Sequence, residues 1–540
     1  MNVIKILFIC FSLGISSVAQ TPEWIKYFSG PGNIQESIVE VVYDSSGNTY
    51  FTGYGLYIAG GQGTDFITIK CDSNGNQLWA NVFNGMQNGS DRPSGIAVDN
   101  IGNAYVTGRS RWNSSDHKIV ILKYSSSGNL LWRTVYDSLG ASEGEPSDIA
   151  IDGDGNILVT GRISPLNNSY YDLITLKLNS DGNIIDQSLF GQVTNQIDFG
   201  EKIIANINGD VFAAGYSFGG LSTGNEVILI KYDQNLIIDW VKHINGTDSS
   251  LNEFAIDLCV DDTGNVYLLS SIQNKVSSTD FALIKFDSSG QQIWRVEYDE
   301  ATINDNPEDM YLDNEGNIYV AGSVRNFGYY NFIVIKYNNA GVEQWKSYYD
   351  GGYDDLAVAL TVDEDKNVYV CGEINPNAGS YFKFNVVKYN PNGNYEWNYL
   401  HDVNASSKAI GLFVNNSGSL FVSGYGKNPN GNQDFMTVKI SSLTSIGEEN
   451  KTRKKFTLSP NYPNPFNPST KISWQSPVSG HQTLKVYDVL GNEVATLVDA
   501  YKPAGGYEVD FNAGSLSNGV YFYKLQADGF TQTKKMLLLK

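Results

Sequence analysis

Short apolar segments alternate with polar turns along residues 21–440, and the pattern recurs every 50 to 55 residues. In the second repeat, Ile96–Asp99 is apolar, Ala104–Gly108 alternates with period two, and His117–Tyr124 and Leu130–Trp132 follow. No amphipathic helical stretch separates these segments. The pattern therefore predicts four short antiparallel strands per repeat, which we call a, b, c and d.

Three positions recur at fixed places in the repeats. A glycine turn, Asp-x-x-Gly-Asn or a variant of it, joins strands a and b, and its last residues are Asn48, Asn103, Asn156, Asp210, Asn265, Asn317, Asn367 and Ser419. Strand c carries a lysine in every repeat, at Lys70, Lys123, Lys177, Lys231, Lys285, Lys336, Lys388 and Lys439. Nine residues after the first seven lysines come Trp79, Trp132, Asp186, Trp240, Trp294, Trp345 and Trp397. We expect each tryptophan to pack between neighbouring repeats and each lysine stem to lie along that surface.

The two ends of the repeat region complement each other. Thr21–Phe28 matches a d strand, with Trp24 in the tryptophan position, and the last repeat has strands a, b and c but no d. Joining the ends completes an eighth unit and removes two free sheet edges. The sequence therefore predicts an all-β, eight-bladed β-propeller over residues 20–440, with an open solenoid as the alternative.

The composition favours an extracellular β-rich protein of more than one domain. The chain has 540 residues, 13% of them aromatic and only 18% charged. A formal net charge of −21 disfavours nucleic acid as a partner, because the phosphate backbone is also negative.

The N-terminus has the features of a secretory signal peptide over residues 1–19. Lys5 precedes an apolar run and small residues, so we place cleavage between Ala19 and Gln20. The apolar run is too short to span a bilayer, and no later segment has 18 consecutive apolar residues, so no transmembrane segment is predicted.

The repeated turn, the Tyr-Val-x-Gly strand, the lysine strand and the Gly-Asn-x-x-Trp strand resemble the bacterial SBBP β-propeller repeats. This resemblance covers about residues 21–440 and implies a fold and an extracellular setting, but no shared activity. A weaker similarity is to quinoprotein dehydrogenases, whose adjacent cysteine pair this chain lacks. Sialidase Asp-boxes differ by one residue in the Gly-to-Trp spacing.

After a polar linker at 441–455, residues 456–540 predict about six alternating strands in a small Ig-like β-sandwich. This stretch opens with a Pro-rich motif and ends with a basic and apolar segment, and its marked residues include Asn461, Pro463, Asn464, Pro465, Asn467, Pro468, Gly491, Gly519 and Lys540. With these residues it resembles the type A C-terminal sorting domain of the type IX secretion system. The resemblance implies export through the outer membrane, with the secretion machinery as partner, and a secreted or cell-surface product.

The b–c loops and the d–a connections vary, whereas the a–b and c–d turns are short and repetitive. All the variable connections reach one face of a propeller, which predicts a ligand-binding surface there. The candidate ligand-binding aromatics are Trp112, Tyr57, Tyr171, Tyr330 and Tyr381, with packing inside their own loops as the alternative.

No cofactor is predicted, with calcium kept as an alternative. Six acids sit shortly before the first strands of their repeats and could form a cation-binding rim around the channel mouth: Asp91, Glu145, Asp198, Glu253, Asp305 and Asp354. Local hydrogen bonding or simple solvation is the other interpretation. The Asp-x-x-Gly-Asn turns resemble calcium loops only superficially, since hairpin turns need the same residues.

The sequence favours a non-catalytic binder of a glycan or protein. Only four histidines are present, no pair has metal-ligand spacing, and there is no Gly-x-Ser-x-Gly elbow. Carboxylates are too abundant to exclude a glycosidase pair. An extracellular polysaccharide hydrolase or lyase, or a spacer without a ligand, therefore remains an alternative.

Overall fold

The computed structural model describes the chain in segments. These are residues 20–30, 36–56, 63–113, 116–137, 143–165, 170–191, 197–218, 224–246, 251–273, 279–299, 304–326, 328–441, 457–458, 461, 463–476, 480–502, 505–527 and 530–540. The proposed signal peptide and nearly all of the proposed linker lie outside these segments. The chain divides into two compact units, Met1–Ser442 and Leu443–Lys540.

The first unit is built from four-stranded antiparallel groups, which we call blades. The only other element described in it is a short 3₁₀ helix, Met86–Asn88. Blades 1 to 4 contain β2 (Glu36–Tyr43), β3 (Thr49–Leu56), β4 (Thr64–Cys71), β5 (Gln77–Phe83); β6 (Arg92–Val98), β7 (Ala104–Arg111), β8 (His117–Tyr124), β9 (Leu130–Tyr136); β10 (Glu143–Ile151), β11 (Ile157–Ser164), β12 (Asp172–Leu178), β13 (Ile184–Phe190); β14 (Ile197–Ala205), β15 (Val211–Phe218), β16 (Asn225–Tyr232) and β17 (Ile238–Ile244).

The remaining strands repeat the same order. Blades 5 to 8 contain β18 (Phe254–Val260), β19 (Val266–Gln273), β20 (Thr279–Phe286), β21 (Gln292–Tyr298); β22 (Asp305–Leu312), β23 (Ile318–Asn326), β24 (Tyr329–Tyr337), β25 (Glu343–Tyr349); β26 (Asp355–Val362), β27 (Val368–Ile374), β28 (Lys383–Tyr389), β29 (Tyr395–Leu400); and β30 (Lys408–Val414), β31 (Leu420–Lys427), β32 (Gln433–Ile440) with β1 (Trp24–Phe28).

The blades close into a ring. The first strands of neighbouring blades contact one another in cyclic order, from β2 through β30 and back to β2. Strand β1 supplies the missing outer strand of the last blade by pairing antiparallel with β32, from Trp24 opposite Lys439 to Phe28 opposite Phe435. The predicted all-β propeller is therefore confirmed. The first strand of the chain closes the ring by completing the last blade.

The glycine turns hold themselves together. Asp44 Oδ1 accepts hydrogen bonds from the backbone N–H groups of Ser46 and Asn48 at 3.0 Å each, and Oδ2 accepts one from Asn48 Nδ2 at 2.7 Å. Asp152 and Asp313 make the same contacts in their blades. These aspartates satisfy the turn backbone, as expected for hairpin turns rather than calcium loops.

Each repeated tryptophan reaches the next blade. The indole N–H of Trp79 donates to Ser126 O at 3.1 Å, and that of Trp132 donates to Ser180 O at 2.9 Å. The lysine of the same blade donates to the same carbonyl, with Lys70 Nζ at 3.3 Å and Lys123 Nζ at 3.0 Å. In these blades the repeated Lys and Trp are therefore scaffold residues that join neighbouring blades.

The second unit has two sheets with a shared apolar core. Ile472, Trp474, Leu484, Tyr523 and Met536 are among the buried residues between the sheets. One sheet has the order β33-β34-β37 and the other β36-β35-β38-β39, as expected for a small sandwich. The strands are β33 (Thr457–Leu458), β34 (Ser469–Ser476), β35 (Gly480–Tyr487), β36 (Glu493–Lys502), β37 (Gly505–Asn512), β38 (Gly519–Ala527) and β39 (Phe530–Leu538).

Candidate ligand-binding face

The strand order defines two faces of the propeller. Because neighbouring strands of a blade are antiparallel, the ends of strands b and d and the starts of strands c and a lie at one face, which we call the loop face. The a–b and c–d turns lie at the opposite face, which we call the turn face. In the described part of the chain, no helix has the length and apolar character to cross a bilayer.

The predicted aromatics that the structure describes come from four different blades. Trp112 is half-buried in blade 2, where its backbone N–H donates to the backbone carbonyl of Asp116 at 2.9 Å. Tyr330, also half-buried, receives Arg325 over its ring at 5.9 Å. Tyr381 in blade 7 is 55% exposed. Tyr57 lies outside the described residues.

Tyr171 belongs to a cluster that the sequence reasoning did not find. The Arg162 guanidinium lies over the rings of Phe199 at 3.9 Å and Tyr171 at 4.4 Å. Phe199 stacks on Tyr216 at 5.2 Å, and Phe254 meets Tyr216 edge-on at 5.2 Å. We call this set, together with Arg109 and Glu145, the arginine–aromatic cluster.

Glu145 connects two arginines in this cluster. Its Oε1 pairs with Arg109 Nη1 at 3.0 Å, and its Oε2 accepts a hydrogen bond from Arg162 Nε at 3.1 Å. The side chains of Arg109, Glu145 and Arg162 remain 33%, 31% and 26% exposed, so the network reaches solvent. Phe254 is 37% exposed and presents a ring beside it.

A signal for this cluster exists in the sequence. The chain has eight arginines, and Arg92, Arg109, Arg111 and Arg162 fall within a stretch of 71 residues. Arg92 is opposite Arg109 in the β6–β7 register and lies over the Tyr54 ring at 5.0 Å. Together with Arg133, five of the eight arginines therefore belong to blades 2 and 3.

The six acids considered as a rim do not share one environment. Asp91, Asp198, Glu253 and Asp305 are at most 1% exposed, Glu145 pairs with arginines, and Asp354 Oδ1 accepts the N–H of Tyr330 at 3.1 Å. The residue of blade 7 that matches the buried acids is Asp355, which is 0% exposed. These six acids therefore do not form one shared rim.

Charged residues also line the inner strands. Glu40, Asp148, Asp257 and Asp309 accept the N–H groups of Ile96, Ile203, Met310 and Leu360 in the following blades at 2.7, 2.8, 3.0 and 2.7 Å. Burial raises the pKa of Glu40 to about 7. Burial alone would lower the pKa of Lys202, but the surrounding carboxylates raise it above its ordinary value. We interpret these buried acids as hydrogen-bonding links between the first strands of neighbouring blades.

A depression also exists on the turn face. It has a volume of about 530 Å³ and is lined mainly by polar residues of three a–b turns, including Asp313, Asp363, Lys366 and Asn415. Lys366 Nζ already pairs with Asp313 Oδ2 at 3.1 Å and with Asn314 Oδ1 at 2.8 Å. These contacts connect neighbouring turns.

In the second unit, hydrogen bonds of Asn461 and Asn464 attach the predicted sorting motif to the rest of the domain. Asn461 is 2% exposed, and its N–H donates to Tyr523 Oη at 2.9 Å. Asn464 Oδ1 accepts the N–H of Leu537 at 2.9 Å, which connects the motif to the last strand. Pro463, Pro465, Asn467 and Pro468 are exposed.

The remaining sorting residues lie at turns and at the terminus. Gly491 and Gly519 have φ values of 84° and 155°. Lys540 donates its backbone N–H to Asn518 Oδ1 at 2.9 Å and its Nζ to Gly514 O at 2.7 Å. The C-terminus is therefore hydrogen-bonded to the loop that precedes β38.

Residues 461–539 match the family described as a secretion system C-terminal sorting domain, and residues 85–111 match the SBBP β-propeller repeat. The second unit is a type IX sorting domain. This finding shows export to the cell surface or secretion, with the secretion machinery as the partner of this domain. No curated protein matches the sequence.

Several solved structures are similar to this chain. A fungal alcohol oxidase of the AA5 family, in complex with copper, has a TM-score of 0.39 at 15% identity over 96% of this chain and 99% of its own. Sqt1 from Chaetomium thermophilum has a TM-score of 0.47 at 8% identity over 79% of this chain and 100% of its own. A PL25 ulvan lyase has a TM-score of 0.39 at 9% identity over 69% of this chain and 95% of its own. We transfer no activity from them.

Proposed function

We propose that the propeller is a non-catalytic recognition module that binds a glycan through its loop face after export. The observation that carries this proposal is the arginine–aromatic cluster. Exposed aromatic rings stack on sugar faces, and arginine donates paired hydrogen bonds to hydroxyl or carboxylate oxygens. A rigid ring of blades would hold these groups in place without a cost of ordering them on binding.

The test is binding to an array of neutral, uronate-containing and sulfated glycans. We compare the mature chain with Phe254→Ala and Trp112→Ala, and use Leu131→Ala as the matched control, because Leu131 is 53% exposed on strand d near the turn face. Loss of the Phe254 ring should weaken glycan binding by about tenfold or more, since central aromatics dominate such contacts. The control should bind as the unmodified chain does.

Binding that is unchanged in Phe254→Ala, or absent from every glycan, would contradict the proposal. Retained binding to a protein from the same cell surface would then favour a protein ligand. Circular dichroism of each variant separates lost binding from lost folding.

One observation favours a second function, cleavage of a polysaccharide. Burial raises the pKa of Glu201, which lies within electrostatic range of Arg162 and Glu145. A carboxyl group with a raised pKa is what a general acid requires. Release of new chain ends from a polysaccharide panel, abolished by Glu201→Gln, would establish this alternative over simple recognition.

A further inference from the structure

Two arginines lie directly opposite each other at the loop face of blade 2. Arg92 on β6 is the register partner of Arg109 on β7. Like charges placed opposite each other destabilise an antiparallel pair of strands. Arg92 is exposed, its guanidinium lies over the Tyr54 ring at 5.0 Å, and no carboxylate pairs with it among the described residues. The positive charge of Arg92 is therefore not explained by an ion pair within the described part of the chain.

The same register position continues this arrangement in blades 3 and 4. Glu145 is opposite Arg162 in the β10–β11 pair, and Phe199 is opposite Tyr216 in the β14–β15 pair. As in blade 2, each of these pairs comes one pair before the bulge of strand a. The side chains also meet between blades, because Arg109 contacts Glu145 at 3.0 Å and Arg162 lies 3.9 Å from the centre of the Phe199 ring. These residues, together with Arg92, form a continuous run that we call the loop-face strip.

Positive charge exceeds negative charge in the loop-face strip, which has three guanidinium groups and one carboxylate, that of Glu145. The half-buried Glu201 lies within electrostatic range of Arg162, and burial raises its pKa, which favours the uncharged form. Asp91, next to Arg92 in the sequence, is buried and accepts hydrogen bonds from Ser110 Oγ and from a backbone N–H. A ligand that complements this local surplus carries negative charge.

Glu145 shows which kind of anion the arginines can hold. Its Oε1 pairs with Arg109 and its Oε2 with Arg162, so one carboxylate spans two guanidinium groups. The donor geometry of a guanidinium matches the planar carboxylate. Arg109 is 33% exposed and Arg92 is exposed beside it, so both are open to a second carboxylate that arrives from solvent.

An aromatic surface begins where the arginines end. Phe199 stacks on Tyr216 at 5.2 Å, and Phe254 meets Tyr216 edge-on at the same distance. Phe254 occupies the equivalent register position in blade 5 and is 37% exposed. Aromatic rings stack on the apolar faces of sugars. A sugar that also carries a carboxylate therefore matches both ends of the strip.

We propose that the glycan bound by the loop face is acidic, and that Arg92 and Arg109 hold a uronate carboxylate while sugar rings stack on the aromatic end. This ligand class rests on the proposed function, because it concerns the same surface. A uronate fits better than a sulfate ester, since the Glu145 carboxylate already spans two of the arginines. The extent of the strip over neighbouring blades favours a polymer over a single sugar.

The test measures a preference between two forms of the same glycan. Oligosaccharides of galacturonan, alginate and glucuronoxylan are titrated into the mature chain, each beside the same oligosaccharide with its carboxyl groups reduced to alcohols. The uronate preference is the ratio of the two dissociation constants, and it should reach about tenfold or more for at least one pair. It should shrink as NaCl is raised from about 0.1 M to about 1 M, because the Debye length falls from about 10 Å to about 3 Å.

Three variants make the experiment specific. Arg92→Gln should lower the uronate preference about three- to fivefold, as expected for an exposed ion pair. Glu145→Gln retains an acceptor for the arginines but removes the opposing charge, so it should raise the preference. Arg133→Gln is the matched control, because it removes the same charge from an exposed position on the outer strand of the same blade. Its preference should equal that of the unmodified chain.

Equal binding of both members of every pair, or a preference that Arg92→Gln leaves unchanged, would overturn the assignment of an acidic ligand but not glycan recognition itself. A lower preference in Glu145→Gln would also overturn it, since the ligand carboxylate would then not compete with that of Glu145. Tighter binding of a sulfated neutral glycan than of any uronate would show that the anion is not a carboxylate. Absence of binding to every glycan would contradict the proposed function as well.

Discussion

At the scale of single residues, the tryptophan of strand d packs directly on the glycine of the c–d turn in the next blade. The Trp79 indole donates to Ser126 O and covers Gly128, the glycine two residues further on. A Cβ at Gly128 would lie 2.6 Å from Trp79 Cγ, and the residue has a φ of 88°. Glycine is needed there both for its backbone conformation and for the space above it.

Replacing Gly128 by alanine should lower the free energy of unfolding by about 3 kcal/mol, because the positive φ costs about 1 kcal/mol and the clash displaces the indole. The control is Gly155→Ala, at a φ of 80° with no atom within 4 Å of the added Cβ. Thermal melting of both variants measures the difference. Equal losses in the two variants would show that the Trp79 contact contributes nothing beyond backbone strain.

Residue identity was predictable where it repeats and was not where it occurs once. The Lys and Trp positions were found because seven or eight copies carry the same spacing. The contact of Arg162 with Phe199 joins two residues of different blades, 37 positions apart. The grouping of arginines is visible in the sequence, but the aromatic rings that each arginine meets depend on how the blades pack.

At the scale of strands, the pattern of apolar and polar residues predicts the strands of a blade but not an irregularity in strand a. In every blade the a–b register shifts by one residue, for example between Ile38 and Glu40 and between Gly200 and Lys202. Such a bulge reverses the face of the residues that follow it. It aims Glu40, Asp148, Lys202, Asp257 and Asp309 along the inner strands, where simple alternation does not place them.

The same shift bears on the six acids near the start of strand a. In the a–b register the positions equivalent to Asp305 are Gly144, one residue before Glu145, and Asp355, one residue after Asp354. A displacement of one residue moves a carboxylate from a buried junction to an arginine pair or to a backbone N–H. The b–c loops and the d–a connections, in contrast, have no repeating pattern from which their conformation could be predicted.

At the scale of the whole molecule, a protein with a formal charge of −21 keeps several carboxyl groups away from water. Burial raises the pKa of Glu36 to about 8, of Glu253, Glu308 and Asp355 to about 7, and of Asp65 to about 6. A carboxyl with a raised folded-state pKa stabilises the fold below its unfolded pKa, and this stabilisation is lost as pH rises through the folded value.

The melting temperature in EDTA should therefore fall as pH increases from about 5 to 8. Below about pH 4 it should fall again, because turn aspartates such as Asp152 and Asp313 have lowered pKa values and lose their contribution when protonated. Glu36→Gln keeps an acceptor for the Gly30 N–H but removes the titration, so its melting curve should vary less with pH between about 6 and 8. A melting temperature that rises from pH 5 to 8 in EDTA would contradict this assignment.

The central claim is that β1 clasps the ring, since only a closed ring creates one loop face. The direct measurement is thermal melting of the chain lacking residues 20–30, beside a chain lacking residues 456–540, whose removal leaves the propeller strands intact. Loss of β1 removes Phe28, which is 3% exposed, and the pairing with β32. The account predicts a melting temperature lower by more than about 10 °C for the first truncation and an unchanged propeller transition for the second. An unchanged propeller transition after the loss of residues 20–30 would contradict it.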